Sequence, residues 1–225
     1  VLPNDTPKIK IERTKNHGAN IILEERSYEK RWIRVQEEVD KYGCSIVHPY
    51  ENFNVMAGQG TIGLELLEDL PYLDKVVVPV GGGGLISGVA TAVKGLAPQV
   101  KTIGVEPAGA DRYARSRAAG QPVTLDKVDT IADGTRTDHA TLFNFEMIQD
   151  KVDELCTADD DHIRQAMVLL MTKAKLMVEP SGALPVAAAL AGRLPVEKGQ
   201  KVAFVLSGGN VDPALAVRLL ADVQA

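Results

Sequence analysis

A β-branched run, Lys75 to Val80, enters four consecutive glycines, Gly81 to Gly84, and leaves them through the helical pattern of Leu85 to Leu96. Short unbroken apolar runs of this kind are strands buried on both faces, which occur where helices cover a parallel sheet. The alternation continues along the chain. Helical patterns fall over Pro7 to Asn16, Tyr28 to Tyr42, Val55 to Leu70, Asp159 to Met171, Ser181 to Ala191 and Pro213 to Val223. Strand patterns fall over Asn20 to Leu23, Lys101 to Val105 and Val202 to Leu206. Gly18 and Gly43 stop the first two helices. Strands alternating with helices predict an α/β fold with a mainly parallel sheet and right-handed crossovers.

Composition narrows the function classes. The chain has 225 residues, 45% of them hydrophobic, enough for one large domain or one domain plus part of a second. A net charge of −5 with interspersed signs offers no basic stripe, and 5 Tyr, 4 Phe and 1 Trp form no stacking series, so nucleic acid is not an expected partner. The longest apolar stretches, such as Val76 to Val80 and Ala183 to Ala191, are too short to span a membrane, and no leader pattern opens the chain; a cytoplasmic protein is expected. Cys44 and Cys156 lack CxxC spacing and are expected as buried, reduced thiols.

The glycine run carries the strongest chemical signal. Without side chains, backbone N–H groups can converge on an anion, and the helix N-terminus behind them adds a positive partial charge. A phosphate is the natural guest, against the plainer reading of a tight turn with close helix–strand packing. A Walker loop would end in Gly-Lys-Ser/Thr, which is absent. A dinucleotide fingerprint needs glycine at its sixth position, where Ile86 or Ser87 stands. Glu106, at the end of the following strand, mimics a ribose-binding carboxylate and keeps a nicotinamide reading open.

A second turn repeats the geometry: the strand pattern of Val202 to Leu206 delivers Ser207, then Gly208-Gly209-Asn210. Ligands of open α/β sheets bind at that strand edge. Alone, Ser207 reads as a cap or turn former. Together with the tetraglycine loop it resembles the fold type II pyridoxal-phosphate enzymes, the group of threonine ammonia-lyase, serine dehydratase and serine racemase. The resemblance runs through ordered motifs: Leu2-Pro3, Pro7-Lys8, Gly18-Ala19, Val47-His48-Pro49, Ala57 to Thr61 with Glu65, Val80 to Leu85, Gly104 to Pro107, Ile131 to Gly134, Glu179 to Ala183 and Leu206 to Asn210.

That resemblance implies a three-layer, parallel-sheet large domain of the tryptophan synthase β-like class over residues 51–225, and part of a smaller α/β domain over residues 1–50. It implies pyridoxal 5'-phosphate as cofactor. Gly81, Gly82, Gly83, Gly84 and Leu85 would cradle the phosphate, and Ser207 would hydrogen-bond the pyridine nitrogen. Gly134 and Glu179 would lie beside the ring, with Asn210 supporting the serine turn; Glu179 also reads as a helix start. A neutral hydroxyl holds the ring nitrogen protonated less firmly than a carboxylate does, which suits loss of a β-hydroxyl. The implied reaction is dehydration of L-threonine or L-serine to a 2-oxo acid and ammonia, with racemisation or hydroxyaspartate dehydration on the same frame. A small amino-acid substrate and a homodimer follow from the same resemblance.

The sequence departs from that family in two places. No Ser-x-Lys-x-Arg-Gly segment bearing the Schiff-base lysine occurs, nor the Ser-Gly-Asn loop that holds the substrate carboxylate. Both are expected ahead of Val1, so the chain alone is expected to be inactive, as a truncated product, a half-molecule with a separate partner, or a non-catalytic cofactor-binding protein. A sheet edge near Pro7 to Tyr42 is expected to stand open, and no regulatory domain is expected after the last helix. In serine racemase-like members a divalent cation is held by residues that map to Glu106, the carbonyl of Ala110 and position 112. Arg112 stands where an Asp is expected, and a guanidinium cannot ligate a cation; pairing of Arg112 with Glu106 is the expected substitute.

Overall fold

The computed structural model describes residues 1–221. In chain order its elements are β1 (Leu2–Pro3), α1 (Lys8–Asn16), β2 (Leu23–Glu24), α2 (Tyr28–Tyr42), α3 (Phe53–Asp69), β3 (Lys75–Pro79), α4 (Gly84–Leu96), β4 (Lys101–Pro107) and α5 (Arg112–Ala119). They continue with α6 (Leu142–Lys151), β5 (Glu154–Ala158), α7 (Asp160–Leu169), α8 (Pro180–Leu190), β6 (Val202–Phe204) and α9 (Pro213–Ala221).

Four strands form an all-parallel sheet in the order β5-β4-β3-β6. Strand side chains alternate between faces, and the core divides accordingly. Val76, Val78 and Val80 pack with Ile86, Val89 and Val93 of α4 and with Ile148 of α6. On the opposite face Val77, Ile103 and Val105 pack with Ile163 and Met167 of α7, Leu184 of α8 and Leu219 of α9. Helices on both faces of a parallel sheet give the expected three layers. The loops that leave β3 and β6, Gly81 to Gly84 and Ser207 to Asn210, therefore emerge side by side at one sheet edge, because β3 and β6 are parallel neighbours.

β1 and β2 stand apart from the four-stranded sheet. β1 and β2 pair in parallel, Leu2 opposite Leu23 and Pro3 opposite Glu24. Ser27 caps α2, its hydroxyl accepting from the Lys30 N–H at 3.3 Å, and Gly43 ends the helix in the left-handed region at φ 65°. Neither α1 nor α2 buries a residue. Trp32, Val35 and Val39 of α2 instead line an open cleft of about 770 Å³ together with Ile46 and Val47.

Several expectations are corrected. The strand expected over Asn20 to Leu23 is Leu23–Glu24, its limits set by the two residues of β1 that pair with it. α5 and α6 were not visible in the apolar pattern, because the buried residues of α5 are Arg112, Tyr113 and Ser116 and those of α6 include Asn144. β5 was hidden by its composition, Glu-Leu-Cys-Thr-Ala. The far end of the closing helix, expected at Val223, lies outside the described residues. Both cysteines are free, but Cys44 is exposed and Cys156 only half-buried, so the burial expected of them does not hold. Among the described residues no helix is long and apolar enough to cross a membrane.

α3 and α4 approach through glycine. A Cβ on Gly88 would sit 2.2 Å from the Met56 carbonyl oxygen, whereas one on Gly95 of the same helix meets nothing within 4 Å. Gly88→Ala is therefore expected to destabilise by about 1–3 kcal/mol through overpacking. Gly95→Ala is expected to stabilise by about 0.5–1 kcal/mol through the entropy of the unfolded chain. Urea unfolding of the two variants measures this; shifts of the same sign would contradict the packing account.

Candidate cofactor site

The loop after β3 is built to expose its amides. Gly83 sits at φ 95°, a region that side chains disfavour, and caps α4. A Cβ on Gly82 would fall 2.2 Å from the Tyr50 ring, so the aromatic ring packs directly on the loop backbone. The loop carbonyls are all taken. Gly81 O accepts from Arg112 Nη2, and Gly82 O accepts from Tyr113 Oη at 2.8 Å and Asn144 Nδ2 at 2.9 Å. Gly83 O accepts from the Ser87 N–H at 2.9 Å. None of the N–H groups from Gly81 to Leu85 donates to a protein acceptor among the described residues.

These glycines border a cavity of about 250 Å³. Its lining brings together Gly81, Gly82, Gly83, Gly84, Leu85, Gly134, Glu179 and Ser207, all singled out in the sequence. Ser207 follows β6 at the sheet edge, and its hydroxyl engages no protein group among the described residues. Asn210 is not part of the lining. It stands behind Glu179: its N–H donates to Glu179 Oε2 at 3.2 Å, and its side-chain oxygen accepts from Arg13 Nη1.

Glu179 is held from three sides. Its N–H donates to Gly208 O at 2.9 Å, which ties the start of α8 to the serine turn. Lys10 Nζ reaches Glu179 Oε1 at 3.4 Å and Asp133 Oδ2 at 2.7 Å. Lys10 and Arg13 belong to α1, so that helix contacts Glu179 and Asn210 directly. The Gly134 N–H donates to Ser181 Oγ at 2.9 Å, fixing the opposite wall. Sequence reading missed Tyr50, Lys10, Tyr113 and Asn144. Tyr50 had a local signal, an aromatic residue directly after His48-Pro49; the others act across long sequence separations that no local pattern reports.

Glu106 is fully buried at the N-terminus of α5, where its oxygens accept from the Tyr113 N–H at 2.9 Å and the Ala114 N–H at 2.8 Å. The direct pairing expected between Glu106 and Arg112 is not among the ion pairs of the described residues. The guanidinium instead serves carbonyls: Ala110 at 3.0 Å, Thr135 at 3.2 Å, Thr137 at 3.0 Å and Gly81. The physical reason is that α5 already offers the carboxylate two amides, while the loop oxygens have no other donors of comparable reach. Both residues mapped as cation ligands, Glu106 and Ala110, are thus engaged by the chain's own donors. Among the described residues no group of three or more His, Cys, Asp or Glu is gathered in a metal-holding arrangement.

The arrangement can hold a phosphorylated ring. Amide donors at a helix N-terminus suit a phosphate dianion, and a neutral hydroxyl, a carboxylate and the Gly134 backbone complete the cavity wall. Pyridoxal phosphate fits this set, since the donors left without protein acceptors lie at the glycine loop where side chains would block approach.

Comparison with known proteins points to the same cofactor. The chain matches the model for the family described as pyridoxal-phosphate dependent enzyme over residues 1–208. It is 42% identical over 219 residues to serine racemase of Oryza sativa subsp. indica, covering 94% of this chain and 63% of the rice protein. It is 42% identical over 223 residues to L-threonine ammonia-lyase of Thermotoga maritima, covering 98% of this chain and 54% of that protein. The structure of maize serine racemase superposes with a TM-score of 0.90 at 36% identity, covering 99% of this chain and 69% of that chain. The α/β architecture is accordingly that of the fold type II enzymes.

Burial pushes the Glu106 carboxyl up to about 7 from 4.5, against the opposing pull of Arg112 and the two amides. The native protein then holds a proton between those values that the unfolded chain releases, so this group's contribution to stability falls as pH rises through the window, by about 3 kcal/mol in all. Glu106→Gln removes the dependence. Urea unfolding at pH 5 and pH 8 is expected to show the variant gaining on the wild type at the higher pH; an equal difference at both would contradict the assignment.

Proposed function

The chain belongs to the pyridoxal-phosphate dependent enzyme family, and from that premise we propose that it serves the dehydration and deamination of L-threonine or L-serine to a 2-oxo acid and ammonia. The observation that carries the reading is the meeting, on one cavity, of the unclaimed amides of Gly81 to Leu85 with the unengaged hydroxyl of Ser207. Residues 1–50 act as part of a smaller α/β domain and residues 51–225 as the large cofactor-binding domain. The amides from Gly81 to Leu85 bind the cofactor phosphate, and the Ser207 hydroxyl bonds the ring nitrogen. Gly134 and Glu179 flank the ring, and Asn210 acts through Glu179 and the serine turn.

Bound there, pyridoxal phosphate supplies an electron sink for the substrate carbon that loses its proton. Ser207, being neutral, holds the ring nitrogen without a fixed negative charge, which favours departure of a β-hydroxyl over a persistent carbanion. Arg112 and the α5 amides occupy the groups that a divalent cation would need at Glu106 and Ala110, which supports a reaction without that cation. The 225 residues contain no Ser-x-Lys-x-Arg-Gly segment, and on their own they bind cofactor without turnover. A small amino-acid substrate, a homodimer and a cytoplasmic setting complete the proposal. Racemisation of serine is the second reading, supported by the 42% identity to the rice serine racemase.

Joined behind an N-terminal segment that carries a Ser-x-Lys-x-Arg-Gly sequence, the chain is expected to release a 2-oxo acid and ammonia from L-threonine or L-serine. Formation of D-serine without oxo acid would favour the racemase, and neither product would overturn both readings. In the joined protein Ser207→Ala is expected to lower turnover by about 3- to 10-fold, the worth of a hydrogen bond between neutral groups. Cofactor retention should change far less; a variant with full turnover would remove Ser207 from the ring nitrogen.

A further inference from the structure

Three buried side chains behind the glycine loop have no contact with the cavity yet claim its carbonyls. Arg112 opens α5, Tyr113 follows it, and Asn144 lies in the first turn of α6. We propose that Arg112, Tyr113 and Asn144 are positioning residues that aim the loop's amides at the cofactor phosphate; the inference rests on the reading that this loop holds the phosphate. In a planar trans peptide the C=O of one residue points opposite the N–H of the next. Fixing Gly81 O outward on Arg112 therefore turns the Gly82 N–H to the other side. Fixing Gly82 O on Tyr113 and Asn144 turns the Gly83 N–H the same way.

The same side chains join the loop to the rest of the cavity. Arg112 also takes the carbonyls of Thr135 and Thr137, so one guanidinium spans from the glycine loop to the wall that carries Gly134. Asn144 Nδ2 takes Tyr50 O at 3.1 Å as well as Gly82 O at 2.9 Å, which seats the Tyr50 ring on Gly82. This arrangement has a cost: Asn144 Oδ1 and Arg112 Nε are buried without partners. Buried polar atoms left unpaired are uncommon, and here each belongs to a side chain with one nitrogen, Asn144 Nδ2 or Arg112 Nη2, committed to the loop. Arg112 in addition places a fixed positive charge behind the amides, with no exposed surface through which water screens it.

The test compares pyridoxal phosphate with pyridoxal, which lacks the phosphate, by titration calorimetry on the chain and its variants. The ratio of the two dissociation constants isolates what the phosphate contributes. Tyr113→Phe deletes one hydroxyl and keeps the ring; Asn144→Asp keeps the size and replaces donors by acceptors; Arg112→Lys keeps the charge and loses the span. The expected result is a wild-type ratio reduced about 3- to 10-fold by Tyr113→Phe and about 10-fold or more by the other two, from the loss of neutral and charged hydrogen bonds. Pyridoxal affinity stays unchanged, and circular dichroism confirms the native fold. A wild type that binds the two ligands equally would overturn the phosphate reading itself. A wild type that prefers the phosphate with variants that keep its ratio would overturn the positioning role alone, as would equal losses for both ligands.

Discussion

The donors of the glycine loop have carbonyls fixed behind them and, among the described residues, no protein acceptor in front. A backbone N–H group turned away from all partners is expensive to keep out of water, and several of them, at the N-terminus of α4, are tolerable only where solvent or an anion reaches them. Everything around the loop maintains that condition. β3, buried beyond Lys75, brings the chain to the sheet edge; Gly83 makes the left-handed bend; α5 and α6 supply the anchors. The parallel order of β3 and β6 then sets Ser207 beside the loop, so the glycine-loop residues and Ser207 share one cavity.

What a sequence reveals here depends on whether the determining contacts are local. The strand before the glycines and the helix after them are set by short-range pattern, and their positions were read to within a residue or two. The cavity-lining residues were found because they occur in motifs, each a strand end or helix start with its own signature. Asn144, by contrast, meets Gly82 across 62 positions, and Arg112 meets Gly81 across 31. A polar helix such as α5 also lacks the apolar period by which helices are recognised. The expected pairing of Arg112 with Glu106 failed for a related reason: opposite charges close in sequence do not reveal that amides and carbonyls compete for both of them.

The first fifty residues are tied to the site by polar contacts at least as much as by packing. Lys10 bridges Asp133 and Glu179, Arg13 reaches Asn210, and Arg26 donates to Arg136 O at 3.1 Å. Meanwhile α2 buries none of its residues and presents Trp32, Val35 and Val39 to the larger cleft. Amphipathic helices derive most of their stability from a packed apolar face, and α2 packs none of its residues out of solvent. The cavity accordingly combines a glycine loop at the sheet edge with a wall at Glu179 that α1 contacts through Lys10.

The central claim, that the glycine loop is the phosphate site, is tested most directly by following the backbone amide resonances of the chain as pyridoxal phosphate is added. The account expects the amides from Gly82 to Leu85 to shift downfield and gain protection from exchange, as donors acquiring a charged acceptor do. Saturable shifts confined to residues of the larger cleft, such as Trp32 and Val47, with the loop amides unmoved, would contradict it.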